Sequence, residues 1–275
     1  MKIVESIVLG TVQGLSEFLP ISSSAHLRVV PALLGWADPG AAFSAVIQLG
    51  STIAVIAYFG RDILSLLRGS LAAIRTQDFA NHDFRVIAGI LIGTIPICLL
   101  GLLFKHVLEQ DQSPLRSLTV IGCASIIMGL ILFFAEHQDK QIRDLSMAGL
   151  MDGVLVGLAQ ALALIPGCSR SGSTLSASLL LNIKRADAAK FSFLLGIPAI
   201  TLSGLLELKK LIDDGLNSES TSALACGFLA STIVSYIVIA WFIKFLQGHS
   251  LKVFVIYRLI FGLSVLLLSR LSIIK

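Results

Sequence analysis

Five stretches of this 275-residue sequence run for about 16 to 22 residues without a charged side chain: Ala41–Phe59, Val86–Phe104, Ser117–Ala135, Phe191–Leu206 and Ser222–Ile243. A sixth, Val253–Ser269, is interrupted only by Arg258. At about 1.5 Å per residue, helices of this length cross a hydrocarbon core of roughly 30 Å, so the expected class is an all-α polytopic membrane protein. Composition agrees. The chain is 55% hydrophobic and 14% charged, against about 25% charged in an average soluble domain, and its mean hydropathy is +0.89. The net charge of +4 includes no basic tract suited to nucleic acid and is assigned to cytoplasmic loops. Arg258, close to Lys252, is expected to snorkel to the interface. Cys98, Cys123, Cys168 and Cys226 show neither metal-ligand spacing nor a disulfide framework. Glu5 and Glu17 break the first apolar run and no small-residue cleavage signal follows, so Met1 reads as the start of the folded chain.

Two regions depart from this pattern. Ile7–Ser16 is apolar for about ten residues and then meets Glu17, Pro20 and the Ser22-Ser23-Ser24 run; Gly153–Ile165 is apolar for about thirteen and then meets Pro166, Gly167, Ser169, Arg170 and Ser171. Such helices reach only ~15–20 Å, about half a bilayer. Each is followed by a second short stretch, His26–Trp36 (with Arg28 inside it) and Thr174–Ile183. Each region therefore reads as a re-entrant hairpin of two half-helices, because irregular backbone at membrane depth must be buried in protein or line a wet cavity.

The two regions also resemble each other at an offset of about 147 residues. Gln13 parallels Gln160, Pro20 parallels Pro166, and Ala37-Asp38 before Phe43-Ser44 parallels Ala186-Asp187 before Phe191-Ser192. One hairpin plus three spans makes an odd number of crossings. The halves, about 1–136 and about 147–275, are then expected to form an inverted-topology repeat with the site near the midplane. Counting Lys and Arg gives eleven on the side opposite the N-terminus, including Arg61, Lys140 and Arg185, against seven on the N-terminal side, including Lys105 and Lys275. The richer side is the expected cytoplasmic one. Between Gly60 and Arg85, an apolar stripe of Leu64, Leu67, Leu71 and Ile74 with Arg61, Arg68 and Arg75 suggests an amphipathic helix in the cytoplasmic interface.

The chemistry concentrates in the two loops. Glu17 lies one turn after Gln13, and a carboxylate at the bilayer centre costs roughly 2.5–3.5 kcal/mol on insertion scales, so it needs a cation, a metal or a proton. Ser22, Ser23 and Ser24 exceed what a helix cap requires; with free helix N-terminal amides they could cradle an oxyanion. His26 follows Ser23 by three residues, on the same helical face. In the second loop Ser169, Ser171, Ser173 and Thr174 surround Arg170. Arg170 is the expected counter-charge of Glu17 or of an anion held between the loops; a purely structural ion pair is the plainer alternative. This set suits phosphoryl transfer, which depends on positioning and on neutralising charge. A transporter for an anion, or a receptor for lipid phosphate, would use the same architecture. Hydrolysis in detergent separates the enzyme from both.

The motifs Gln13–His26 and Pro166–Thr174 resemble the paired signatures of bacterial undecaprenyl-diphosphatases of the bacitracin-resistance type, and the likeness continues through Val46-Ile-Gln-Leu-Gly50, Phe191-Ser-Phe-Leu194 and Tyr257-Arg258. The family carries Glu or Gln at the position of Gln13, so here only a neutral amide is available there. The resemblance implies hydrolysis of undecaprenyl diphosphate to the monophosphate and phosphate, in the bacterial cytoplasmic membrane, at a site open to the outer face. It also implies a divalent cation, magnesium or calcium, with Glu17 as its candidate ligand. A homodimer is compatible with this reading. On it, Ser23 attacks the terminal phosphorus, His26 accepts the proton with help from Glu17, and Arg170 stabilises the transferring group. Gln13, Ser22, Ser24, Ser169, Ser171, Ser173 and Thr174 bind phosphate. Direct attack by water is the alternative to the covalent route.

Overall fold

A computed structural model describes residues 2–108, 113–215 and 218–274; Met1 and Lys275 lie outside them. The described chain is helical. The first region gives α1 (Ile3–Ser16) and α2 (Ser23–Leu34), followed by α3 (Gly40–Tyr58), α4 (Gly60–Thr76), α5 (His82–Leu103), the short α6 (Lys105–Leu108) and α7 (Leu118–Gln138). The second gives α8 (Leu150–Gln160), extended by a 3-10 turn over Ala161–Leu164, then α9 (Arg170–Leu180), α10 (Arg185–Asp213), α11 (Ser218–Gly248) and α12 (Lys252–Arg270). Helices α3, α5, α7, α10, α11 and α12 are long and apolar enough to cross a membrane. These are the six spans expected.

Some boundaries differ from the charge-free runs. Helix α10 begins at Arg185 and runs for 29 residues, roughly 43 Å, so its charged ends outreach a bilayer of about 30 Å. Its first turns pair there, Arg185 with Glu136 and Lys190 with Asp62. Helix α4 carries Leu64, Leu67, Leu71 and Ile74 exposed along one face, as an interfacial helix requires. Ion pairs sort by end of the molecule. Arg28 and Arg116 meet Asp38 at one end, whereas Glu136, Asp62, Asp144 and Asp152 take their partners at the other. That division matches the loop sides deduced by counting spans.

Packing between the halves is reciprocal. Helix α1 packs along α11, α8 packs along α5, α3 meets α10, and α7 meets α12. Glycine permits the first two contacts. A Cβ on Gly10 would run into the Gly227 backbone, and one on Gly157 into the Gly93 backbone. Small residues let helices approach closely where lipid supplies no hydrophobic drive.

Each hairpin breaks at a matching point. Helix α2 starts after Ser22 at φ 76°, and α9 after Ser169 at φ 69°. Both are non-glycine residues in the left-handed region, a conformation that costs of order 1–3 kcal/mol and survives where surroundings enforce it. Those surroundings are visible. Phe18 is fully buried in the central aromatic core, edge-on to Phe193 at 4.8 Å, and this anchors the chain immediately after Glu17.

Arg258 supplies the rest. It does not snorkel: it is 0% exposed and lies between the two loops. Its guanidinium donates to the carbonyls of Pro20 (3.0 Å) in the first loop, Gly167 (2.7 Å) and Cys168 (3.3 Å) in the second, and Ser125 (3.1 Å) on α7. The expectation failed because it weighed only distance along the sequence to Lys252. The loop carbonyls, orphaned where two helices break, offer a stronger partner than the interface.

Candidate active site

Glu17 is the centre of the site. It is 3% exposed, and both carboxylate oxygens are occupied. Gln13 Nε2 donates to Oε2 at 2.8 Å from one turn back on α1, and Ser23 Oγ donates to the same oxygen at 2.7 Å from the start of α2. Gln48 Nε2 of α3 donates to Oε1 at 2.9 Å, and Arg170 from α9 meets that oxygen at 3.2 Å. Four elements thus converge on one carboxylate, and its charge is compensated without water.

Arg170 is held on its other side by the Ser192 carbonyl of α10 at 3.1 Å, while its Nε has no partner among the described residues. Its guanidinium fits only because residue 196 is glycine; a Cβ there would collide with it. Ser171 donates to the Leu19 carbonyl at 2.9 Å and so ties the loops together. The amides of Ser23 and Ser24, in the first turn of α2, have no protein acceptor among the described residues. Beside them lies a cavity of about 210 Å³ lined by Ser23, Ser24, Gln13 and Gln48. Helix N-terminal amides beside a guanidinium make an anion site.

Not every candidate residue reaches this centre. His26 turns away from Ser23. Its Nδ1 donates to the Ser22 carbonyl at 2.7 Å, which leaves Nε2 of the neutral ring to accept from the Tyr257 hydroxyl at 2.6 Å. The ring also stacks on Phe261, centroids 4.4 Å apart. Spacing of three put His26 and Ser23 on one face, but the ring bonds back one turn to the carbonyl of the strained Ser22. Ser173 and Thr174 bond the carbonyls of Ser169 and Arg170, and the Ser169 hydroxyl caps α9 through the Gly172 amide. Much of the hydroxyl content of the second loop therefore satisfies backbone. Ser22 and Ser24 share a contact of 3.2 Å between hydroxyls.

Sequence reasoning did not assign Gln48, Tyr257 or Gly196 to the site. Gln48 sits in an apolar span, where a lone amide is a signal of a polar partner. Tyr257 and Gly196 gave no such sign.

The residues fit a metal bound directly to Glu17 poorly. Its oxygens already take four donors, one of them a cation, and no cluster of three or more His, Cys, Asp or Glu side chains occurs among the described residues.

Fold and site together define a polytopic membrane protein with an enclosed Ser–Glu–Arg cluster suited to an anionic, phosphate-like group. The chain belongs to the bacitracin resistance protein BacA family, whose model matches residues 6–264. It is 56% identical over 260 residues to the undecaprenyl-diphosphatase of Gloeobacter violaceus, covering 94% of this chain and 89% of that protein. The undecaprenyl-diphosphatase of Synechococcus elongatus is 56% identical over 259 residues, covering 94% and 90%. That of a Synechocystis species is 51% identical over 267 residues, covering 97% and 82%.

Proposed function

We infer that this protein is a membrane-embedded phosphatase that dephosphorylates undecaprenyl diphosphate to undecaprenyl phosphate and inorganic phosphate. That activity returns a lipid carrier for cell-wall synthesis and underlies bacitracin resistance. The observation that carries the mechanism is the Ser23 hydroxyl on Glu17 at 2.7 Å, with Arg170 on the opposite carboxylate oxygen.

The diphosphate enters the cavity with its terminal phosphorus beside Ser23, and the isoprenoid tail remains in lipid. Ser23 Oγ attacks that phosphorus and passes its proton to Glu17. The bond between phosphorus and the bridging oxygen breaks, and undecaprenyl phosphate leaves with the proton that Glu17 had taken. Water then attacks the phosphoserine and gives a proton to the Glu17 carboxylate, the bond between phosphorus and the Ser23 oxygen breaks, that oxygen takes the proton back from Glu17, and phosphate is released. Arg170 and the free amides of α2 neutralise the equatorial oxygens, the main requirement of phosphoryl transfer. In this scheme His26 is a positioning residue. It fixes the Ser22 carbonyl, and with it the start of the helix that presents Ser23. Relay of the Ser23 proton by His26 would require Nε2 to leave Tyr257. No step is routed through a metal; a divalent cation enters, on this reading, as a counter-ion of the diphosphate.

The halves, about 1–136 and about 147–275, are proposed as inverted-topology repeats. The reciprocal pairing of α1 with α11 and α8 with α5 supports this. The home of the protein is then the bacterial cytoplasmic membrane, with the cavity opening to the outer face alongside Asp38 and Arg116.

The test is phosphate release from a prenyl diphosphate by purified protein in detergent. Wild-type protein is expected to turn over, and Ser23→Ala to lose activity by about 10³-fold or more. Rapid quench should trap a phosphopeptide containing Ser23. Full activity in Ser23→Ala, with no phosphopeptide, would leave direct attack by water as the route.

A further inference from the structure

A second cavity lies against α4, at the end of the molecule where Asp62 meets Lys190. It holds about 410 Å³ and is lined by Arg61, Leu64, Ser65, Arg68 and Gly69 of α4, with Asp83 from the first turn of α5. That volume falls within the range of roughly 300–1,000 Å³ usual for small-molecule sites. Arg61, Ser65 and Arg68 recur at spacings of four and three, so they share one face of the helix. The two arginines stand roughly 10 Å apart along its axis. Glycine at 69 admits the acid, because a Cβ there would run into the Asp83 carboxylate.

The neighbouring acids Asp62, Asp144, Asp152 and Glu136 each hold a base. Arg61, Arg68 and Asp83 form no ion pair among the described residues, and the Ser65 hydroxyl has no hydrogen-bond partner there. Both arginines are exposed. Two guanidinium groups against one carboxylate leave the cavity one positive charge in excess. Leu64 belongs both to its wall and to the exposed stripe of Leu67, Leu71 and Ile74. That stripe seats α4 in the membrane interface, so the cavity opens at headgroup depth and runs onto an apolar track.

Charge and donors define the occupant. Guanidinium groups match phosphate oxygens, and basic side chains at this depth attract anionic lipid. A phosphodiester carries one negative charge and balances the excess; a zwitterionic headgroup brings its own cation and does not. An ionised Asp83 only accepts hydrogen bonds, so it repels a bare anion and calls for hydroxyl donors beside the phosphate. A phosphodiester bearing a short polyol, with acyl chains to lie along Leu64 and Leu67, meets every requirement. We propose that this cavity between α4 and α5 binds the headgroup of phosphatidylglycerol, with its phosphate between Arg61 and Arg68 and its glycerol hydroxyls donating to Asp83. The site shares no lining residue with the cavity at Ser23 and does not rest on the phosphatase reading.

The experiment mixes full-length protein in neutral detergent with dioctanoyl lipids and measures bound lipid and melting temperature. Wild-type protein is expected to bind phosphatidylglycerol about tenfold more tightly than phosphatidylcholine or phosphatidylethanolamine, and to melt higher in its presence. Arg61→Gln and Arg68→Gln should each weaken that binding by roughly tenfold, and less at high salt. Lys140→Gln, a cation at the same end but outside the cavity, should keep the wild-type affinity. Phosphatidylmethanol has the same charge without the hydroxyls. It should bind wild-type protein more weakly than phosphatidylglycerol, and Asp83→Ala should erase that difference. Melting temperatures without lipid report whether each variant is folded, and the comparison among lipids on wild-type protein stands without any variant. Equal affinity for phosphatidylglycerol and phosphatidylcholine, or arginine variants that behave like Lys140→Gln, would overturn the site. Equal affinity for phosphatidylglycerol and phosphatidylmethanol would overturn the headgroup assignment. Displacement of the lipid by inorganic phosphate at comparable concentration would identify a free-phosphate site in its place.

Discussion

The Glu17 carboxylate accepts hydrogen bonds from Ser23, Gln13, Gln48 and Arg170, and that crowding determines how its neighbours respond to substitution. Removing Arg170 does two things at once. It deletes the cation that neutralises the transferring phosphoryl group, worth roughly 10³–10⁵ in rate. It also leaves a buried carboxylate without its charge partner, which destabilises by about 3–5 kcal/mol. Arg170→Ala is therefore expected to be nearly inactive and to melt at a lower temperature. The double variant Glu17→Gln with Arg170→Ala should recover thermal stability but not activity. Recovery of both would remove the pair from the mechanism. Tyr257→Phe leaves His26 Nε2 without its donor. On the positioning role argued here it lowers kcat modestly, whereas a proton relay through His26, which needs Nε2 released from Tyr257, would leave kcat unchanged or raise it. Glu17 and Arg170 were legible as partners because an ionisable group inside a membrane needs one. The orientation of His26 was not, because it depends on Tyr257, 231 positions away.

The helices α1 and α8 matter through the small residues on their packed faces. Gly10 lies against Gly227, and Gly157 against Gly93, in backbone-to-backbone contact. A leucine at either position is expected to force the helix pair apart and abolish the folded state, seen as loss of monodisperse protein in detergent. Gly196 on α10 is a subtler case. Gly196→Ala intrudes on the Arg170 guanidinium rather than on backbone, so it should insert and fold yet lose most of its activity. Wild-type rates in Gly196→Ala would mean that Arg170 has room to move. The half-helices themselves could be read from hydropathy, since an apolar run of about ten residues ending in Glu, Pro and Ser cannot span. Their glycine contacts could not, because glycine is common in membrane helices whether or not it touches another backbone.

At the scale of the whole molecule, the ion pairs divide into two ends, with Asp38 and its arginines at one and Glu136, Asp62, Asp144 and Asp152 at the other. With the native cysteines replaced, Asp38→Cys is expected to react with an impermeant maleimide added to intact cells, and Lys140→Cys only after the membrane is opened. The reverse result would invert the proposed orientation and direct the cavity to the cytoplasm.

Membrane class, six spans, two broken hairpins and the loops that hold Glu17, Ser23 and Arg170 were all determined by sequence. Each follows from a local quantity: the length of an apolar run, the cost of a buried charge, or the breaking of a helix by proline and polar residues. Only the tertiary structure decided what holds those loops in place. Arg258 reads in the sequence as one charge near a helix end. In the fold it is the fully buried bridge that donates to Pro20 on one loop and to Gly167 and Cys168 on the other. The physical reason is that orphaned carbonyls must be satisfied, and which side chain satisfies them is set by proximity in space, not by spacing along the chain.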